Sequence, residues 1–399
     1  MTSVSLYLQV HQPHRLGTYD VFDVGERENY FTDGDDQKNN QKVLRKVSQK
    51  SYRPTVKSLL KMIKRHPEFR LTLSFSGVVL EQLQQFDEKT LRLFQDLVGT
   101  GNVEVLAETY HHSLAFFYDR DEFGTQVEKH QKLIQDIFGV QPKVFRNTEL
   151  AYNNELGQWA AGAGYDGVLT EGWEDNLGWR SPNFVYRVPE TDTALLCKNY
   201  KLSDDIAFRF SREDWEGWPL SADTFAGWID QHETNADVIN LFMDFETFGE
   251  HQWADTGIFE FLEDLPRAVL ENGDDFLTVS QTIESYRARD DLHIEDTVTW
   301  ADKKRDLTAW LGNSMQTSAI ETLYGLKDDV LKNADDKLLR DWRRLQTSDH
   351  FYYMCTKWAS DGDVHSYFSP YESPYDAYIT YMNVLTDLKR RLGHKPTRL

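Results

Sequence analysis

Short apolar runs alternate with longer stretches of helical periodicity over the first three quarters of the chain. The runs fall at 4–10, 71–75, 103–106, 144–145, 167–169, 238–243 and 276–279. Between the first two, Val43, Val47, Val56, Leu59, Leu60 and Ile63 are spaced to give helices one apolar face, and Val127, Leu133, Ile134, Ile137 and Phe138 do the same after the third. Strands alternating with amphipathic helices predict an α/β fold with a parallel sheet. The stretch 171–233 breaks this rhythm: it carries Trp173, Trp179, Phe184, Tyr186, Tyr200, Phe208, Phe210, Trp215 and Trp218 among several Pro and Gly. It reads as a long insertion over the barrel mouth. Most of its rings are expected to be structural and two or three, Trp173 among them, to meet a ligand. From about Leu292 strand signals stop, and helical patterns at 315–331, 338–353 and 375–392 predict a C-terminal bundle. The division expected is therefore a barrel over 1–288 and a helical domain over 289–399. The charged linker at 287–296 predicts that the two pack firmly together.

Composition narrows the function more than the fold. At 399 residues the chain can bury a large core. Its 13% aromatic content, with 11 Trp and 19 Tyr, either fills that core or lines a groove where sugar faces stack. A net charge of -21 disfavours nucleic acid and anionic membranes as partners, and a neutral polar substrate fits better. Cys197 and Cys355 are too few for a disulfide framework or a thiolate metal site. The N-terminus shows no charged region followed by an apolar stretch, and no run reaches the roughly 18–20 apolar residues that span a bilayer, so the cytoplasm is the expected compartment. Oligomeric state leaves no mark in the sequence.

Candidate chemistry gathers where apolar strands end. In VINLFMDFETFGEH the strand stops at Asp244 and acidic, aromatic sequence follows; in KVFRNTELAYNNE a shorter strand delivers Arg146, Asn147 and Glu149. Two strands each presenting a carboxyl group at the C-terminal end suit paired-acid chemistry in a barrel. Arg146 could hold Glu149 ionised. The apolar strand before Asp244, together with neighbouring Glu246, could raise the Asp244 pKa. Glu246 is a competing proton donor, because in an extended strand it would face the same side as Asp244. His11 and His14 follow the first strand and His111 and His112 follow the third, so all four could face one pocket. Clear metal spacings such as HExxH are missing; the expectation is neutral imidazoles donating to substrate hydroxyls, with no metal and no cofactor.

HQPH at 11–14, AETYHHSLA at 107–115, FRNTELAYNNE at 145–155, FMDFETFGEH at 242–251 and LQTSDHFYYM at 345–354 resemble, in order, the five motifs of glycoside hydrolase family 57, closest in flavour to its α-amylase group. The likeness extends to WADKKRDLTAWLGN at 300–313 and HSYFSPYESPYDAY at 365–378. The resemblance implies a (β/α)7 barrel, a distorted TIM-like form, with a C-terminal helical domain, acting on α-glucans or maltooligosaccharides by a retaining mechanism. Glu149 would be the nucleophile and Asp244 the general acid/base. His11 and His112 would contact the sugar, Trp310 and Asp349 would close the pocket, and His251 would lie nearby. One departure is His111, which stands where relatives often carry an aromatic residue; it leaves open which histidine meets substrate. Hydrolysis and glucan transfer share the first half-reaction, so both follow from these motifs. A metal-dependent barrel deacetylase and a catalytically silent glucan-binding protein are the readings from other classes.

Overall fold

The computed structural model describes residues 2–31, 37–231, 235–357 and 369–393; His365–Phe368 of the last motif and the final two residues of the 171–233 stretch lie outside them. Among the described residues nine strands form two sheets: β1 (Ser3–Val10), β2 (Leu71–Phe75), β3 (Val103–Val105), β8 (Val238–Asp244) and β9 (Asp275–Phe276) in one, β4 (Val144–Phe145), β5 (Gly167–Glu171), β6 (Val185–Arg187) and β7 (Ala194–Lys198) in the other. Pairing is parallel throughout except for β6, which runs antiparallel to β7. A parallel bridge between Ala107 and Phe145 joins β3 to β4. On the other side the Asn199 amide donates to the Asn240 carbonyl and the Asn240 side chain to the Cys197 carbonyl, each at 2.9 Å. Seven parallel strands thus follow one another in the order β1, β2, β3, β4, β5, β7, β8. The β7/β8 seam is held by one backbone and one side-chain bond rather than by a full ladder.

Alternation along β1 explains the barrel's two surfaces. Val4, Leu6, Leu8 and Val10 join the core beneath the outer helices, whereas Tyr7 joins Leu169, Leu196 and Phe242 in a separate interior cluster. Tyr7 and Phe242 meet edge to face at 5.5 Å. Gln9 has the parity of Tyr7 and is paired in register with Asp244, so both stand at the C-terminal rim on the inner side. Two expectations change here. The stretch 171–233, read as a cover over the mouth, also supplies β7, a wall strand paired with β5 along its whole length. Its ALLCK sequence is short and sits among aromatic residues, which hid the strand. At the other end, β9 stops at Phe276 and Val279 begins a helix capped by Thr278, so the run at 276–279 is split between two elements.

Helices over 308–391 bury Trp310, Trp342, Phe351 and Tyr381 together with Leu16, Tyr19, Tyr30 and Leu114 from the barrel's own loops. The loop after β1 is therefore part of the helical core. The carboxylate of Asp387, fully buried, accepts from the Gly25 amide at 2.6 Å, the Tyr30 hydroxyl at 2.7 Å and the Arg391 guanidinium at 2.7 Å. Hydrogen bonds to charged groups contribute about 1.5–3 kcal/mol. Tyr30→Phe is expected to lower the unfolding free energy by that amount in chemical denaturation; an unchanged midpoint would mean this joint adds nothing. Among the described residues no helix is long and apolar enough to cross a membrane.

Candidate active site

Glu149 lies in a single 3-10 turn, Thr148–Leu150, immediately beyond β4. Both Glu149 (φ 60°) and Leu150 (φ 50°) adopt the left-handed conformation that side chains disfavour. Neighbours hold the turn there: the Trp300 amide donates to the Glu149 carbonyl, and Tyr152 and Val298 exchange backbone bonds. The carboxylate receives the Trp300 indole N–H at 2.9 Å and the Ser348 hydroxyl at 2.8 Å, while His112 Nε2 lies 3.3 Å away. Burial alone would raise the Glu149 pKa, but the hydrogen bond and charge of His112, with the charge of Arg146, bring it below the usual carboxylate value.

His112 is charged for a reason that also lies in the fold. Its Nδ1 is 3.1 Å from Gln9 Nε2 and 3.7 Å from Glu108 Oε2, and its Nε2 faces Glu149. Burial disfavours the imidazolium, yet the two carboxylates raise its pKa to about 9. Arg146, wholly buried, reaches Glu108 at 3.5 Å and packs over the Trp300 ring at 4.8 Å. His11 stacks on His112 with ring centroids 3.9 Å apart and is fixed by Ser76 at 2.7 Å and Asp349 at 2.9 Å. Burial and the charge of His112 keep His11 neutral by lowering its pKa. Ser348 and Asp349 come from the helical part: the Ser348 amide donates to the His112 carbonyl at 2.8 Å, which pins that helix start onto the barrel rim.

Asp244 ends β8 and is only partly covered. Burial and then the Glu149 charge raise its pKa, against the opposing charges of His251, Arg146 and His112. Burial lowers the His251 pKa, against the charges of Asp244 and Glu250. Glu246 does not share this face. The strand stops at Asp244 and a 3-10 turn, Phe245–Thr247, swings Glu246 into the core, where the Tyr52 hydroxyl donates to it. Desolvation and the Asp244 charge raise the Glu246 pKa to about 8. The extended geometry expected from the sequence fails at that turn, and with it the reason for treating the two acids as equivalent donors.

The four histidines divide into two groups. His11 and His112 stand at Glu149; His14 instead lies 3.5 Å from Glu81, in a cluster where Tyr110 and Arg344 also bond Glu81 at 2.7 and 3.1 Å. His111 is fully buried against Tyr110, with the charges of Glu81, Lys129 and Arg344 around it. The left-handed backbone at His112 (φ 52°) turns the adjacent residues to opposite surroundings. Trp310 is 1% exposed inside the helical core, against Tyr352, and so offers no open face to a pocket. Trp173 is partly exposed and packs near Tyr200 and Arg305. Sequence reasoning left Glu108, Gln9, Trp300 and Ser348 without roles. Glu108, Trp300 and Ser348 sit inside the motifs given above, but nothing local distinguishes their roles.

The ligand atoms of His11, His112 and Asp349 lie within 4.8 Å of one another, the spacing of a possible cation site. Three features oppose that use. The imidazoles are stacked, 23° from parallel, so their in-plane lone pairs run side by side instead of converging. Asp349 is already engaged by His11, and His112 Nε2 already faces the Glu149 carboxylate at 3.3 Å. The same contacts suit a sugar: neutral His11, charged His112 and ionised Asp349 supply donors and acceptors around two carboxyl groups of opposite tendency.

A family model described as "Glycosyl hydrolase family 57" matches residues 5–295. A protein of Methanocaldococcus jannaschii described as a "Putative alpha-amylase" is 42% identical over 400 residues, covering 97% of this chain and 84% of the relative. Among solved structures, a branching enzyme of the same family from Pyrococcus horikoshii superposes with a TM-score of 0.69 at 16% identity, over 92% of this chain and 87% of that one. A 4-alpha-glucanotransferase from Thermococcus litoralis gives 0.58 at 16% identity, over 89% of this chain and 52% of that one. These two likenesses concern the fold.

Proposed function

The chain belongs to glycosyl hydrolase family 57, and on that footing we propose that it cleaves α-1,4-glucosidic bonds of α-glucans with retention, through a glycosyl-enzyme intermediate on Glu149. The observation that carries this reading is the divergence of two coupled carboxyl groups at the barrel mouth: Glu149 is pushed toward the ionised form and Asp244 toward the protonated one. That is the state a retaining pair needs before the first step. Asp244 protonates the glycosidic oxygen as Glu149 attacks the anomeric carbon, giving a glycosyl ester and a free chain end. Asp244, now a carboxylate, takes a proton from water as its oxygen attacks the same carbon, and Glu149 leaves as carboxylate.

In this reading His112 and the Trp300 and Ser348 donors orient the nucleophile, while His11, Asp349 and His251 meet hydroxyls of the bound sugar. The glucan substrate is supported by the alpha-amylase description of the Methanocaldococcus jannaschii relative. A second reading, transfer of the glycosyl group to another glucan, is favoured by the branching enzyme and glucanotransferase that share the fold. The two differ only in the acceptor. Chromatography of products from maltoheptaose and soluble starch separates them. Shorter sugars alone, with new reducing ends, are expected; shorter and longer chains at constant reducing-end count would mean a transferase. No change in either substrate would sink the α-glucan reading.

A further inference from the structure

Behind Trp300 lies a set of buried charges that the mechanism above does not use. Glu171 ends β5, Lys198 ends β7, Asp204 follows in the next helix and Arg305 comes from the loop leading to the helical part. Lys198 Nζ is 3.2 Å from Asp204 and 3.6 Å from Glu171. Arg305 reaches Glu171 at 2.9 Å and Asp204 at 3.2 Å, closing the ring of four. Two cations against two carboxylates balance, as a buried set of charges must.

Arg305 does more than complete this ring. Its Nη1 also donates to the Trp300 carbonyl at 2.6 Å, and its own carbonyl accepts from the Thr299 amide at 2.8 Å. The short loop between Thr299 and Arg305 is thereby tied across its base. Asp302 (φ 52°) and Arg305 (φ 51°) both sit in the left-handed region, a strained backbone that surroundings must hold in place. Trp300 in turn is joined to Glu149 twice, by its amide to the Glu149 carbonyl and by its indole N–H to the carboxylate at 2.9 Å. Lys198 Nζ lies 5.7 Å over the Trp300 ring, near the distance at which Arg146 also packs on it.

We propose that Arg305 is a positioning residue for the nucleophile: it clamps the Trp300 carbonyl so that the indole N–H stays aimed at the Glu149 carboxylate. The inference rests on the reading of Glu149 as the nucleophile. A donor aimed at the ionised form both orients a carboxylate and favours its ionisation. Loosening the clamp therefore weakens the attacking step and makes Glu149 easier to protonate, while the sugar contacts of His11 and Asp349 stay in place.

Arg305→Met is expected to lower kcat on maltoheptaose roughly 10- to 100-fold, the range of one hydrogen bond to a charged group, with KM little changed. The acid limb of the pH profile should move to higher pH. Arg305→Lys, which can still reach the carbonyl, should recover part of kcat and serves if the Met variant folds poorly. Glu171→Gln disturbs the same charge ring without touching the Trp300 carbonyl, so it should leave the acid limb in place. In a Trp300→Phe background, Arg305→Met should cost nothing further in kcat. A role confined to stability would show instead as losses of activity that track melting temperature in both Arg305→Met and Glu171→Gln, with an unmoved acid limb, and would overturn the proposal. Fluorine NMR of protein labelled with 5-fluorotryptophan, with the Trp300 resonance assigned by Trp300→Phe, decides the matter without substrate. Its titration midpoint must rise in Arg305→Met, and an unchanged midpoint refutes the clamp. Wild-type protein that turns over no glucan would count against the proposed function, and the fluorine titration would still judge Arg305.

Discussion

Glu149→Ala should abolish glucan turnover while leaving the fold intact, and external azide should restore reaction on an activated maltoside by forming a glycosyl azide. The loss should exceed the roughly 10²- to 10⁴-fold that a positioned proton donor contributes, because in the proposed mechanism the covalent intermediate forms on that carboxylate. Stability should fall little: the Trp300 N–H and Ser348 hydroxyl lose an acceptor, but the side chain is 14% exposed and water can enter. Asp244→Asn should behave differently. It should lose about 10²- to 10⁴-fold on natural glucans and much less on a substrate whose leaving group needs no protonation. In the wild type, activity should rise as Glu149 ionises at acid pH and fall as Asp244 deprotonates, the first limb lying below the usual carboxylate value and the second above it. Near-normal turnover by Glu149→Ala would remove the nucleophile assignment altogether.

The largest effect on stability is expected at Glu108. It is fully buried and is the carboxylate facing Arg146, itself fully buried, and the inner nitrogen of His112. Arg146 Nε and Nη2 have no hydrogen-bond partner among the described residues, so Glu108 is the carboxylate its guanidinium bonds directly. Removing one member of a buried ion pair typically costs about 3–5 kcal/mol. Glu108→Ala is therefore expected to lose that much in urea denaturation, with activity falling too as His112 loses the charge that keeps it protonated.

The pH dependence supplies a sign. His112 has a folded pKa raised to about 9 from 6.5, so its contribution is fully present below 6.5 and is lost as pH rises through 9. Wild-type stability should decline across that window, and the decline should be shallower in Glu108→Ala. A variant as stable as the wild type, with the same alkaline slope, would show that Arg146 and His112 do not depend on Glu108.

That Glu149 and Asp244 lie where strands end is legible in the sequence because each follows an apolar run that stops abruptly, a signal carried within a dozen residues. The turn that separates Glu246 from Asp244 has no equally local signal: the strand ends two residues before Glu246, whose carboxylate is bonded by the distant Tyr52. His111 and His112 were indistinguishable, since a single left-handed residue decides which faces Glu149. The seven-stranded barrel followed from strand and helix alternation joined to the motif order, but β7 was hidden inside aromatic sequence. Trp300 and Ser348 could not have been found this way. They reach Glu149 from 151 and 199 positions further along the chain, and that kind of proximity is created by tertiary packing alone.

The contact between Ser348 and Glu149 also sets an order of events at the ribosome. Ser348 is made 199 residues after Glu149, a delay of roughly 10–40 s at ordinary elongation rates. During that interval Leu16, Tyr19, Tyr30 and Leu114 await the helices that will cover them, and the Glu149 carboxylate lacks its Ser348 donor. The nascent barrel is thus both sticky and chemically incomplete until its last helices arrive, so a chain stalled after the barrel would be a client for chaperones and not a working enzyme.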